Sequence, residues 1–151
     1  MEEMVQGPEE RTDRCRAPCP SRVGKQGKQR DRNEVEKGEG KPLIVLPEGE
    51  SINYFARLRN PVPHACFYKG AMETATEGEI VSDLEAHSPY WIVIISRDLI
   101  GWGTDRYGEK SGSGEEILRW VNENYKQVAS IGGDPLDYRE RGAILLRKYA
   151  R

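Results

Sequence analysis

The chain has 151 residues, of which 36% are hydrophobic, enough for one domain with a real core. Its 23 basic and 25 acidic side chains are interspersed and leave a formal net charge of −2, so no global field selects nucleic acid or an anionic membrane. No apolar stretch approaches the roughly 20 residues needed to cross a bilayer.

Residues 1–40 contain no Ile, Leu, Phe, Trp or Tyr and carry nine Lys/Arg against nine Asp/Glu. Such a segment buries too little apolar surface to offset the entropy of ordering it, so it reads as a disordered charged arm. Its equal count of acids also removes most of the counterion release that would drive it onto phosphates. Residues 41–151 form the single expected domain. The amino terminus lacks the charged-then-apolar pattern of a secretion signal, so the chain reads as soluble and retained where it is made. Cys15, Cys19 and Cys66 read as free thiols. Joining Cys15-x3-Cys19 to His64-x-Cys66 gives four ligand types, but the spacing fits no common zinc motif, and neither metal nor cofactor is expected.

In chain order, Pro42–Pro47 is a short β-rich run. Ser51 then stands as a candidate N-cap for a helix whose Ile52, Phe55 and Ala56 mark one face. Asn60-Pro61-Val62-Pro63 ends that helix, and His64–Tyr68 reads as a second strand. Thr76-x-x-Glu79 is a capping box opening a helix with Ile80, Leu84 and His87 at helical spacing. The apolar run Trp91–Ile95 suits a strand covered on both faces, and a long loop over Arg97–Gly112 follows. Ser113-x-x-Glu116 is a second capping box, leading into a helix faced by Ile117, Trp120 and Val121. Gln127–Ile131 and Ala143–Leu146 read as two final strands, antiparallel because their link is too short for a crossover helix.

This alternation predicts an α/β fold: a small three-layer Rossmann-like sandwich, mostly parallel, with an antiparallel C-terminal edge strand. Ligands of such sheets sit beyond the carboxyl ends of the strands. No phosphate-cradling fingerprint follows the first strand, where Leu46-Pro47-Glu48-Gly49 stands, and no nucleophile elbow or P-loop occurs. Glu48 follows the first strand, while Arg97 and Asp98 follow the central one. If those strands are neighbours, the three side chains converge on one edge. Trp102, Tyr107 and Tyr54 are either an aromatic platform for a sugar or base, or a cover for the loop's apolar underside. A glutamate facing an arginine there could bind a polar ligand, but no complete catalytic constellation is present, and the residues alone favour a structural ion pair closing the loop over the sheet end above catalysis. The alternative is a free-standing small α/β enzyme or nucleotide/sugar-binding module using Glu48 and Asp98 as acid and base.

The phrases LPEGESINYFARLRNPVPHACFY, IVSDLEAHSPYWIVIISRDLIGWGTDRYG, EEILRWVNENYKQV and GAILLRK stand in an order that resembles a known domain. It is the soluble C-terminal domain of bacterial polytopic glycosyltransferase-like membrane proteins, relatives of the dolichyl-phosphate-mannose–protein mannosyltransferases. The resemblance spans residues 41–151. It implies a domain that lies outside the cytoplasmic membrane and is appended to transmembrane helices whose loops carry the catalytic acids. None of those acids maps onto this sequence. What the resemblance implies here is an accessory domain with a ligand-facing or membrane-facing edge at Glu48, Tyr54, Arg97, Asp98 and Tyr107. Its partner would be the membrane-embedded portion, or a glycan or lipid headgroup.

Overall fold

A computed structural model describes residues 38, 40–68, 75–102, 106–109, 114–137 and 139–150. The charged arm expected to be disordered, residues 1–40, lies outside them apart from Gly38 and Gly40. The elements are β1 (Leu43–Leu46), α1 (Glu50–Ala56), α2 (Glu77–His87), β2 (Trp91–Ile95), a 3-10 turn (Ile100–Trp102), α3 (Glu115–Asn124), β3 (Tyr125–Gly132) and β4 (Gly142–Lys148). They build an α/β domain on an open four-stranded mixed sheet in the order β1-β2-β4-β3.

The expected predominance of parallel pairing does not occur. β1 and β2 pair in parallel, whereas β4 runs antiparallel to both β2 and β3. The short link after Gly132 forces a hairpin, and the hairpin's second strand inserts beside β2. The C-terminal strand is therefore interior, and β3 takes the edge position beside it. Composition explains the choice. β4 offers Ile144, Leu145 and Leu146 to both faces, while β3 (YKQVASIG) is largely exposed and carries a bulge between Gln127 and Ala129, as edge strands often do.

Side-chain alternation along the strands divides the core in two. Ile44, Leu46, Ile92, Ile94 and Leu146 face α2 and α3, meeting Ile80, Leu84, Ile117, Trp120 and Val121. Leu43, Val45, Trp91 and Val128 form the smaller cluster on the other face, with Ile52 of α1 and Leu58 packed against it. All four residues of β1 are buried although it is an edge strand, because its outer side is covered. Leu43 N donates to Arg59 O (3.0 Å), Asn53 Nδ2 donates to Leu43 O (2.8 Å), and Phe67 N donates to Pro47 O (2.8 Å). The expected strand over His64–Tyr68 is only this cover. It makes one bridge, Cys66 to Glu48, since Pro61 and Pro63 leave no room for a ladder.

The domain begins before Lys41. Trp91 Nε1 donates to Gly38 O (2.9 Å), and Gly38 lies so close to the indole that a Cβ there would overlap it.

The Thr76 capping box forms as its spacing predicts. The Thr76 hydroxyl accepts from Glu79 N (3.3 Å), and the Glu79 carboxylate accepts from Thr76 N (2.7 Å). His87, expected near the core stripe, is exposed and bonds Asp83 O (2.9 Å). The second box begins at Ser113, which lies outside the described residues; the N-cap assigned to α3 is Gly114. The cap comes from the neighbouring helix, as Glu77 accepts from both Gly114 N (2.7 Å) and Glu116 N (2.9 Å). Its charge also suits the positive end of the α3 dipole.

α1 departs further from expectation. Its N-cap is Gly49 rather than Ser51, and Phe55 and Ala56 point to solvent. The reason is the helix end. Arg57 takes a left-handed conformation (φ 55°), Arg57 N donates to Tyr54 O (3.2 Å) and Leu58 N to Asn53 O (3.0 Å). This Schellman reversal swings Leu58, not Phe55, in beside Ile52.

Candidate functional site

Parallel pairing of β1 with β2 sets Leu46 opposite Ile94, so the residues after each strand leave the same end of the sheet. Glu48 and Arg97 meet there, with Arg97 Nε donating to Glu48 Oε1. The Glu48 side chain is 18% exposed and that of Arg97 50%, so the carboxylate sits low and the guanidinium reaches into solvent. Two further donors hold the other carboxylate oxygen: Tyr68 OH at 3.2 Å and Cys66 Sγ at 3.8 Å. Burial, reinforced by the Glu48 charge, raises both the Cys66 thiol and the Tyr68 phenol above their ordinary values. Both therefore stay protonated as donors.

Depressions flank the pair. One, of about 320 Å³, is lined by Glu48, Gly49, Glu50, Ser51, Cys66 and Arg97. The other, of about 100 Å³, lies between the loop after β2 and the β3–β4 hairpin, with Arg97, Asp98, Arg106, Tyr107, Glu140 and Arg141 among its walls. Arg97 belongs to both.

The structure thus brings Glu48 and Arg97 together and places Asp98 and Tyr107 on the smaller depression. Asp98 is committed locally, its Oδ1 accepting Ile100 N (3.1 Å) and so shaping the 3-10 turn. Tyr107 is buried, and its hydroxyl has no hydrogen-bond partner among the described residues. It covers the loop's underside instead of offering a platform, with Gly114 packed so close to the ring that a Cβ there would overlap it. Tyr54 lines neither depression; it lies exposed on α1 with its ring against Phe55. Trp102 belongs to the 3-10 turn, and its side chain lies outside the described residues. His64 pairs instead with Asp83 of α2 (2.8 Å).

Sequence reasoning missed Cys66, Tyr68, Arg106 and Arg141. Cys66 and Tyr68 carry the available signal: they are two apart, so any extended conformation puts both on one side. Arg141 reaches the edge only because the hairpin folds back beside β2.

Buried phenols make the fold sensitive to alkali. Tyr125 donates to Pro89 O (2.6 Å), and burial raises both Tyr125 and Tyr107 well above the ordinary value of 10.0. Above about pH 10 the unfolded chain has released protons that the folded chain keeps, so stability falls as pH rises. The slope is up to about 1.4 kcal/mol per pH unit for each tyrosine. Urea denaturation at stepped alkaline pH checks this, with Tyr125→Phe expected to flatten the decline; a profile level past pH 11 would contradict it.

Among the described residues no group of three His, Cys, Asp or Glu is placed to hold a metal ion; Cys15 and Cys19 lie outside them. Among the described residues, too, no helix is long and apolar enough to cross a membrane. Compared with known proteins, the chain matches no family model, no curated protein and no solved structure.

Proposed function

We propose that this is a non-catalytic accessory domain that binds a polar ligand, a glycan or lipid headgroup, at the Glu48–Arg97 edge. We read it as the soluble counterpart of the C-terminal domain of membrane glycosyltransferases, working with a membrane-embedded partner of that class. In layering, with α1 on one face and α2 and α3 on the other, it is a small relative of Rossmann-like sandwiches.

The observation that carries the reading is the Glu48–Arg97 pair at the carboxyl ends of adjacent parallel strands, with a depression on each side. Arg97 binds Glu48 through Nε, which leaves its outer nitrogens to donate to hydroxyl or phosphate oxygens. Because Arg97 is half exposed, solvent screening holds the pair to about 0–1 kcal/mol of stability, so fold maintenance is a weak reason for it. The enzyme alternative has less support. Three donors already occupy the Glu48 carboxylate, and Asp98 is spent on a backbone N–H.

Titration of isotopically labelled protein with a neutral oligosaccharide and with a sugar phosphate tests the proposal by NMR. Amide shifts are expected at Glu48, Cys66 and Arg97–Ile100, and Arg97→Ala should weaken binding by about tenfold to a hundredfold, the worth of charged hydrogen bonds. Shifts confined to other faces, or an Arg97→Ala variant that binds equally well, would end the proposal.

A further inference from the structure

The best-exposed large apolar side chains of the domain sit together and next to positive charge. Tyr54 and Phe55 are consecutive on α1, 78% and 81% exposed, with ring centroids 5.5 Å apart in an edge-on arrangement. They are held on a stiff mount. Asn53 Nδ2 donates to both Leu43 O (2.8 Å) and Leu58 O (3.1 Å), tying the helix to β1 and to its own reversal. Arg57 and Arg59 follow at once, both exposed. The Leu43 N–Arg59 O bond sets Arg59 beside the entry to β1, where Lys41 is also exposed. Among the described residues none of these three cations enters an ion pair. The helix's single acid, Glu50, stands in the first turn, away from them.

The left-handed position after a helix favours glycine, because a side chain there is strained. Arg57 holds that position at φ 55° with its side chain exposed.

We propose that the α1 end of the domain is a docking surface for an anionic lipid membrane. Tyr54 and Phe55 enter the headgroup boundary, while Lys41, Arg57 and Arg59 contact lipid phosphates. Aromatic rings with flanking cations match that boundary, where an apolar body is buried and positive charge is held by acidic headgroups. The overall charge of −2 does not drive this, so the attraction is local and short-ranged. Two protruding rings are too small a patch for a standard protein interface of about 1,600 Å². The proposal is independent of what binds at the Glu48–Arg97 edge, whose depressions include neither ring.

The test is co-sedimentation of the full chain with vesicles of phosphatidylcholine alone and with about 30% phosphatidylglycerol added, at low and high salt. Binding is expected only to the anionic vesicles and should weaken with salt. Tyr54→Ser/Phe55→Ser should abolish it. Arg57→Gly should weaken it roughly fivefold, the factor expected for one cation at a charged leaflet, while raising the melting temperature. That opposition separates a membrane role from a folding role and does not need the double variant to fold. The proposal is overturned if anionic vesicles leave the chain in solution, or if Arg57→Gly binds undiminished. It is likewise overturned if the aromatic pair instead drives self-association seen by sedimentation velocity.

Discussion

Trp91→Ala is expected to cost about 3–5 kcal/mol of folding stability, the usual loss when a large buried aromatic is truncated. Trp91 opens β2, is 3% exposed, and sits between Leu43 of β1 and Arg147 of β4. Its ring meets Tyr90 edge-on at 4.9 Å, and its Nε1 fixes Gly38. Removing it opens a cavity in the smaller of the two core clusters, which Ile52 of α1, Leu58 and Tyr90 help to close. Trp91→Phe keeps most of the packing but loses the donor, so it should cost less and release Gly38. Urea denaturation gives the stabilities, and amide exchange at Lys41, whose N–H donates to Gly38 O (3.1 Å), reports the release. A loss below about 1 kcal/mol for Trp91→Ala would mean that this side of the sheet is not a packed core.

Gly142→Val should be at least as damaging, by about 3 kcal/mol or more. Gly142 pairs with Gly132 across the hairpin, and Gly132 has φ 74°. A Cβ at Gly142 would overlap the carbonyl oxygen of Gly133, a backbone atom that cannot swing aside as a side-chain tip does. Relief requires parting the strands, and among the described residues β3 has no sheet neighbour but β4. Protection from hydrogen exchange should therefore vanish first along Tyr125–Gly132. Gly101→Ala is the control: nothing lies within 4 Å of its Cβ position, and stability should hardly change. If both substitutions behave alike, the close approach at the hairpin is not what fixes the strands.

Features written in short stretches of chain were legible. The bounds of β2 follow from one apolar run, the Thr76 box from a four-residue spacing, and the buried face of α3 from helical periodicity. The meeting of Glu48 with Arg97 was legible because it needs only that two parallel strands be neighbours. What failed depended on contacts distant in sequence. Nothing local tells that β4 slips between β2 and β3, although the polar composition of β3 points toward an edge. Phe55 and Leu58 compete for one place beside Ile52, and the winner is set by a reversal at Arg57 that no glycine announces. Glu77, 37 residues earlier than Gly114, accepts from the first N–H groups of α3, so a search among neighbouring residues does not find this acceptor. Cys66 and Tyr68 reach Glu48 through a single bridge, too brief to leave a strand pattern.

The position of β4 bears on the order of assembly during synthesis. As the polypeptide emerges, β1 and β2 can associate early, whereas β3 can reach them only through side chains, Tyr125 toward Pro89 and Val128 beside Leu43, Val45 and Trp91. Among the described residues its one strand partner, β4, is made afterwards and must pair on both sides when it arrives. A nascent chain stalled before Gly142 would hold half a sheet and an orphan ribbon. Final closure is thus a single late event, and any defect in residues 142–148 should be felt across the whole width of the protein.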